Sequence, residues 1–220
     1  MRWRVAAVIG GLIAMMTGSN GAATGQAATP LPRPRERGAM SLEETLVRRR
    51  SVREFTRDGV TPADVGQLCW AAQGVTAPSG LRTAPSAGAR YPLELYAVTA
   101  DGVLHYGPGS HGTTVHRSGD LRDGLRQAAL GQEAVGDAPV VFVLVAVYQR
   151  TAARYGEDRA RRYAQLEAGA AAQNLLLQAV ALGFGAVPIG AFDDRQVQAV
   201  LGLPADQEPL YLIPVGRARE

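Results

Sequence analysis

Arginine side chains and one hydroxyl are concentrated in a short stretch of the 220-residue chain, Arg48-Arg49-Arg50-Ser51-Val52-Arg53. Guanidinium groups bind phosphate through paired hydrogen bonds, and a serine hydroxyl adds a neutral donor. The stretch also ends a predicted helix, where cations complement the negative end of the helix dipole. Two interpretations therefore stand at this point: an anion site, or a solvated basic helix end.

The remaining reactive residue types offer little chemistry. The spacings between His105, His111 and His116 do not match the usual helical metal-ligand motifs, so we predict no metal site and interpret these residues as surface histidines. The only cysteine, Cys69, lies in an apolar helical pattern and is interpreted as a packed thiol. No lysine occurs in the sequence, which excludes Schiff-base chemistry.

The first 28 residues have the pattern of a secretory signal peptide. Arg2 and Arg4 precede a short apolar run over residues 5–17, and small residues follow up to Ala28. We therefore predict an exported protein, periplasmic or extracellular, with no stable membrane span after cleavage because the run is short. An uncleaved anchor or a misassigned start codon are the alternatives, and a misassigned start or signal would leave the protein cytoplasmic.

Length and charge limit the class of protein further. A hydrophobic fraction of 46% over this length suits one globular domain with a sizeable core. The formal net charge is +3, and two of the positive charges belong to Arg2 and Arg4. Removal of the predicted signal would leave a nearly neutral chain, so we predict no nucleic-acid partner.

The elements that must position the arginines begin after a linker. Residues 29–40 are rich in proline and arginine and are predicted to be extended and mobile. Ser41 and Glu44 form a capping box that starts a helix, and this helix delivers the arginines at its C-terminal end. Thr61 starts a second helix that ends near Gly74, and residues 77–90 form a polar loop.

The rest of the chain alternates strands and helices. Strands are predicted over residues 93–98, 103–106, 140–147 and 210–215, with a short strand or loop over 185–190. Helices are predicted over residues 118–130, 158–182 and 193–201, the last of these capped by Asp193. Residues 168–182 are apolar nearly all round, which indicates burial in a core or a subunit interface. The pattern favours an α+β or α/β fold around a mixed sheet.

Basic residues recur at the other end of the domain, at Arg217 and Arg219, directly after the last predicted strand. If the terminal segments lie side by side, these arginines converge with those at 49–53. Such a site would suit a phosphate-bearing cofactor that supplies its own chemistry.

Three ordered segments resemble the FMN-dependent nitroreductase superfamily. Residues 49–55 (RRSVREF) are similar to its N-terminal arginine motif, and residues 85–96 (PSAGARYPLELY) resemble the pattern of the SagB-type branch, which is thiazole/oxazole dehydrogenase-like. Residues 167–192 resemble the family's long helix and the loop after it. The sequence departs from many nitroreductases at Ala89 and Tyr91, where they have Asn and Gln.

The resemblance implies an α+β domain over residues 41–220, a nitroreductase-like mixed sheet flanked by helices, and a homodimer formed through the long helices. It implies FMN at the subunit interface, with residues 85–90 bordering the ring partly from the partner subunit and the amides of Gly190 and Ala191 facing the reactive nitrogen. The implied cofactor-binding residues are Arg49, Arg50, Ser51, Arg53, Pro85, Ser86, Ala87, Gly88, Arg90, Pro188, Ile189, Gly190, Ala191, Arg217 and Arg219.

The implied activity is that of an oxidoreductase. Hydride would pass to or from a small organic substrate through bound flavin in a ping-pong cycle, with NAD(P)H as the candidate reductant. No side chain is an obligate acid or base in this scheme, and Tyr91 or Tyr155 is the candidate proton donor. Two alternatives remain open from the sequence: an exported flavin-binding carrier or sensor without catalysis, and a structural dimer that has lost FMN.

Overall fold

The computed structural model describes residues 28–56 and 58–219. Seven helices lie in these ranges: α1 (Leu42–Arg48), α2 (Pro62–Gln73), α3 (Arg122–Ala128), α4 (Glu133–Asp137), α5 (Gln149–Tyr155), α6 (Glu157–Ala181) and α7 (Asp194–Leu201). Seven strands accompany them: β1 (Thr29–Pro30), β2 (Leu93–Val98), β3 (Gly102–Gly107), β4 (Gly112–Ser118), β5 (Val140–Ala146), β6 (Gly185–Ala186) and β7 (Glu208–Gly216).

The strands form one sheet in the order β1-β4-β3-β2-β5-β7-β6, and every ladder between them is antiparallel. Within the described residues, the parallel pairing is an isolated bridge between Ser51 and Ala186. All residues of β5 are buried, as its unbroken apolar sequence predicts for a strand covered on both faces. The predicted α+β class is confirmed.

Two apolar layers cover the sheet. One face of β5, carried by residues such as Leu144, packs against α2 and α6 through Leu68 and Leu175. The other face packs against α3, α4 and α7, for example through Leu125 and Val197. The functional residues discussed below adjoin both layers, since Phe184 belongs to the first and Phe55 and Ile189 belong to the second.

Helix starts follow the local sequence signals. The Glu44 N–H donates to the Ser41 hydroxyl at 3.1 Å, but the predicted capping box is only half formed, because the Glu44 carboxylate pairs with Arg48. Thr61 forms a reciprocal capping box with Asp64. The Gly74 N–H ends α2 by donating to the Trp70 carbonyl. Helix α6 runs for 25 residues, one residue earlier at each end than the sequence predicted.

Besides the short elements β1 and α4, two longer elements were missed by the sequence. Residues 112–118 form strand β4, although glycine and polar residues made this region resemble a series of turns. It is a strand because β3 on one side and β1 on the other pair with its backbone. Helix α5 was also not predicted, since it is only seven residues long and has a single buried residue, Thr151.

The segment predicted as a linker lies along the domain. Strand β1 pairs with β4, and the Leu31 N–H donates to the His111 carbonyl at 3.0 Å. Further along, the Arg35 N–H donates to Gln67 Oε1 at 2.7 Å, and Gln67 Nε2 donates to the Arg35 carbonyl at 3.0 Å. These backbone contacts attach residues 29–35 to the outer strands and to α2.

The predicted signal peptide lies outside the described residues, apart from Ala28. Among the helices that the structure does describe, none combines the length and the apolar character that crossing a membrane requires.

Candidate functional site

The segment after α1 joins three distant parts of the chain. The Val52 N–H donates to the Ala186 carbonyl at 3.0 Å, and the Thr56 N–H donates to the Arg217 carbonyl at 2.9 Å. Phe55 also forms a bridge with Ala218. The two basic clusters of the sequence are therefore neighbours, held together by backbone hydrogen bonds.

Three guanidinium groups at this junction have no hydrogen-bond or ion-pair partner among the described residues. Within residues 28–56 and 58–219, no hydrogen bond or ion pair involves the guanidinium of Arg49, Arg53 or Arg217. The Arg217 guanidinium lies over the ring of Phe184, 5.3 Å from its centroid, and Ser51 is exposed beside them. Unpaired arginines beside a free hydroxyl form a site that can bind a phosphate or carboxylate. We call these four residues, Arg49, Ser51, Arg53 and Arg217, the arginine cradle.

Two predicted cofactor ligands are engaged elsewhere. Arg50 Nη1 donates to the carbonyls of Val47 at 2.9 Å and Arg49 at 2.7 Å, so its side chain folds back onto α1. Arg219 Nη2 donates to the Phe55 carbonyl at 3.0 Å and lines a separate polar cavity with Arg122. Their predicted contact with the cofactor stays a prediction, and it would require both side chains to move.

Close packing holds the cradle segment in place. A Cβ atom at Gly185 would lie 2.6 Å from the Cβ of Val52, so only glycine allows the two segments to approach this closely. The following loop is fixed at Ile189, whose N–H donates to the Leu212 carbonyl at 2.8 Å. Pro188 is half-buried beside it.

The loop then exposes two unused donors. Gly190 and Ala191 are exposed, and their N–H groups have no acceptor among the described residues. Gln132 Nε2 fixes the loop from the other side by donating to the Ala191 carbonyl at 2.8 Å. Two adjacent free amides of this kind can stabilise negative charge on a bound group.

The loop at residues 85–91 has a strained backbone. It contains a 3-10 turn, Ala87–Ala89, and three of its residues have positive φ: Gly88 at 56°, Ala89 at 52° and Tyr91 at 47°. Such conformations cost free energy in residues other than glycine, and they are concentrated at functional sites. The Tyr91 N–H donates to the Ser86 hydroxyl at 2.8 Å, which closes the loop on itself.

Tyrosine side chains support this loop from inside and outside. The hydroxyl of Tyr91 accepts from the Arg82 N–H at 3.2 Å, and its ring lies 4.3 Å below the Arg82 guanidinium. A Cβ at Gly88 would lie 2.6 Å from the Tyr155 hydroxyl, so a larger residue there would have to push the Tyr155 side chain aside. Both tyrosines thus have structural roles, and proton donation by either stays a prediction.

A charged clamp holds the end of the loop. Arg150 forms an ion pair with Glu94 and donates to the Tyr91 carbonyl at 3.2 Å, and Arg90 Nε donates to the Arg150 carbonyl at 3.1 Å. His105 lies 2.6 Å from the other Glu94 oxygen. Burial raises the pKa of Glu94, but hydrogen bonds from His105 and Arg150 outweigh it and the pKa ends below its usual range.

A cavity of about 310 Å³ separates this loop from α6. Glu167 lines it and is only 3% exposed, and neither carboxyl oxygen has a hydrogen-bond partner among the described residues. Burial raises the pKa of Glu167 to about 7, against the opposing effects of the Ser86 hydroxyl and the Arg82 cation. The other lining residues are Pro85, Ser86, Ala87, Tyr163 and Leu166.

Replacement of Glu167 by glutamine is expected to change how stability depends on pH. The folded protein holds this proton up to about pH 7, whereas an unfolded glutamate releases it near its ordinary value, about 4.3. Stability therefore falls as pH rises between these values, and at pH 8 the glutamine variant should be more stable by about 3 kcal/mol. Urea unfolding at pH 4 and pH 8 measures this difference.

The matched control is Glu157→Gln, an exposed acid on the same helix. Its stability should follow that of the parent protein at both pH values. Parallel profiles for the parent and Glu167→Gln would show that the Glu167 carboxyl titrates in the ordinary range.

The predicted binding residues fall into two groups along α6, one facing its middle and one beyond its C-terminal end. Ser86 and its neighbours face Glu167, whereas the cradle lies beyond the C-terminal end of the helix, near Phe184. From Glu167 to the last helical residue, Ala181, the axis covers roughly 21 Å at 1.5 Å per residue. One chain therefore presents the two groups far apart along this helix.

The described residues contain no group of three or more His, Cys, Asp or Glu side chains that could hold a metal ion. Each histidine in this part of the chain is instead hydrogen-bonded within the sheet or to its connections. His111 lies between the Tyr106 hydroxyl and the Pro32 carbonyl, and His116 lies 3.1 Å from the Leu201 carbonyl.

An antiparallel α+β domain with an unpaired arginine cradle and two free loop amides is a domain suited to an anionic cofactor. Comparison with known proteins identifies its family. The model of the Nitroreductase family matches residues 46–217, and the chain belongs to this family. Family membership makes it an oxidoreductase in general terms.

Individual relatives agree with this assignment. A Methanocaldococcus jannaschii protein, provisionally assigned as a nitroreductase, is 40% identical over 187 residues, which cover 82% of this chain and 93% of the relative. A crystal structure of a provisionally assigned Ralstonia eutropha nitroreductase is 34% identical, with a TM-score of 0.79 and coverage of 86% and 89%. The NADPH:FMN oxidoreductase of Vibrio harveyi, solved with NAD+, shares the fold at 24% identity, a TM-score of 0.62 and coverage of 81% and 69%.

Proposed function

We propose that this protein is an FMN-dependent oxidoreductase that passes hydride between a nicotinamide cofactor and a small organic substrate in a ping-pong cycle. The observation that carries the proposal is the arginine cradle, in which the guanidinium groups of Arg49, Arg53 and Arg217 are unpaired among the described residues. A flavin phosphate is an anion that would use these donors together.

The residues present fit FMN at several points. Arg49 and Arg217 would hold the phosphate, and Ser51 and Arg53 would contact the ribityl chain and the pyrimidine edge. The free N–H groups of Gly190 and Ala191 would donate to the ring, where they favour extra negative charge. Bound FMN would supply the acceptance and donation of hydride, and the chain would supply binding, orientation and electrostatics.

We further propose that the site is shared between two copies of the chain. The cradle lies beyond the C-terminal end of α6 and the loop at 85–91 faces the middle of the helix, so an antiparallel pair of α6 helices would bring the loop of one copy toward the cradle of the other. Large apolar side chains on α1 and α6 are exposed and available for such a contact. They are Leu42 at 60%, Leu46 at 51%, Val47 at 71% and Leu166 at 62%.

Assignment to the SagB-type branch rests on residues 85–96. In the structure these residues form a strained loop, a clamped turn and the start of β2. Glu94 anchors Arg150, and the hydroxyl of buried Tyr96 donates to Gln207 Oε1 at 2.7 Å. Residues 85–96 thus form a rigid support for the loop at 85–91. This suits a branch that differs from many nitroreductases at Ala89 and Tyr91, beside the proposed position of the flavin ring.

The location of the protein is a separate proposal. The amino-acid pattern of residues 1–28 supports export of the domain that follows. Measuring the N-terminal residue of protein recovered from the cell envelope or medium would test it, since an intact Met1 there would contradict cleavage.

The test of the proposed function is retention of flavin followed by turnover. The purified protein is mixed with FMN and passed through a gel-filtration column, and its absorbance spectrum is recorded. Flavin bands that stay with the protein, together with oxidation of NADH or NADPH by a quinone or nitroarene, are expected. Retained flavin without turnover would favour a carrier, and a colourless protein that does not take up FMN would contradict the proposal.

A further inference from the structure

The carboxyl group of Glu167 is an unusual feature of α6. The helix is rich in alanine around it, and residues 164, 168 and 171 on the same side are fully buried alanines. A buried carboxyl without a partner lowers stability, and such groups in native proteins call for an explanation. An alanine at this position would avoid this loss of stability, because it has no polar group to bury.

The surroundings of Glu167 favour its neutral form. The hydroxyl of Ser86 lies in the cavity wall and opposes the rise in the pKa of Glu167, and it already accepts the Tyr91 N–H. One hydroxyl can exchange a hydrogen bond with a protonated carboxyl, but it cannot replace the several donors that an ionised carboxylate needs.

The charged and titratable neighbours of Glu167 are few. Arg82 faces it from the preceding loop, but its guanidinium donates to Gln73 Oε1 at 2.8 Å and covers the ring of Tyr91. Tyr163 lies one turn earlier on α6 and contacts Tyr155 of α5 edge-on, with the ring centroids 5.2 Å apart. Arg82 is the only cation among these, and it is committed to other partners.

We propose that Glu167 is a positioning residue, and that the proton it carries sets the placement of residues 85–89 through Ser86. With the proton present, the carboxyl remains buried in the cavity wall and the loop keeps the conformation described here. When the proton is lost, the charge draws in water or displaces the cavity wall, and Ser86 is the first residue to move. The loop's strained residues, Ala89 and Tyr91, make it ready to change conformation.

This inference deepens the proposed function, on which it rests in taking residues 85–89 as a border of the flavin site. It adds that affinity for FMN depends on a proton held in the cavity behind the loop that borders the flavin. The protonated form is the binding form, so affinity should fall as pH rises through neutrality. The affinity for FMN is expected to differ on the order of tenfold between the protonated and the ionised forms of Glu167.

The first experiment needs no flavin. Infrared difference spectra of the protein minus Glu167→Gln should show a carboxylic-acid band that disappears between pH 6 and pH 8. Over the same range, hydrogen–deuterium exchange of residues 85–91, corrected for intrinsic rates, should speed up in the parent and not in Glu167→Gln. Absence of the band, or identical exchange in both proteins, would overturn the proposal.

The second experiment measures FMN affinity at pH 6 and pH 8 by quenching of flavin fluorescence. The parent should lose affinity on the order of tenfold relative to Glu167→Gln, and the exposed-site control Glu157→Gln should behave as the parent. If the parent and Glu167→Gln lose affinity equally, the proposal fails. If Glu167→Gln does not fold, Glu167→Met takes its place, because it is also neutral and of similar length.

The outcomes separate this proposal from the proposed function. If no variant binds FMN at any pH while the carboxyl band and the exchange both respond to pH, the flavin assignment fails and the positioning role of Glu167 stands. If FMN binds with the same pH dependence in all variants, the flavin assignment stands and the role of Glu167 fails.

Discussion

Replacing Arg49 and Arg217 together by alanine is expected to abolish retention of FMN while leaving the fold intact. Both guanidinium groups are unpaired among the described residues, so their removal leaves no buried partner unsatisfied. Each charge-assisted contact with phosphate contributes about 1.5–3 kcal/mol, so each single variant should bind roughly 10- to 100-fold more weakly. The double variant should elute without flavin.

The measurement is the FMN dissociation constant, obtained by fluorescence titration at low ionic strength. Arg126→Ala is the matched control, because Arg126 is an arginine on α3 whose charge is paired with Asp123 and Glu133. It should leave FMN affinity unchanged. Full affinity in the double variant would exclude the cradle as the phosphate site.

Co-expression of two inactive variants is expected to restore flavin binding. One variant lacks the cradle, through Arg49→Ala and Arg217→Ala. The other has a disrupted loop, through Gly88→Val, because Gly88 has a φ of 56° and a Cβ there would meet the Tyr155 hydroxyl. If each site combines the cradle of one copy with the loop of the other, mixed dimers contain one intact site.

Random pairing gives half mixed dimers, so about a quarter of all sites should bind FMN, against none in either variant alone. The flavin content of co-purified protein, with a different affinity tag on each variant, measures this fraction. Co-expression of two differently tagged cradle variants is the control and should give none. No flavin in the mixed preparation would contradict a shared site, as would full flavin content in the Gly88→Val protein.

Much of the fold followed from local signals. Ser41 and Thr61 start helices because their side chains accept from the amides three residues later, and such caps are readable in the sequence. The apolar run at 140–147 predicted a strand covered on both faces because both layers pack on it. Contacts between distant segments were harder to predict from the sequence. Strand β4 was missed because it is a strand through pairing with its neighbours rather than through its own residue types.

The site was predictable as a set of residue types and less so as contacts. The arginines at 49–53 and 217 were found because several cations close together suggest an anion. The diversion of Arg50 onto the carbonyls of α1 could not be read from the sequence, since it depends on how the chain turns after Arg48. Glu167 is the first residue of the segment 167–192 that resembles the family, but no separate role was predicted for it. Its burial depends on which side of α6 faces the loop.

The backbone bonds from Val52 to Ala186 and from Thr56 to Arg217 also have a consequence for biosynthesis. The cradle uses residues near both ends of the domain, separated by more than 160 positions. Contacts of such long sequence separation form late, after the loop between them has closed. On the ribosome, Arg217 emerges more than 160 residues after Arg53, so the cradle cannot be completed until the strands and helices between them have been synthesised.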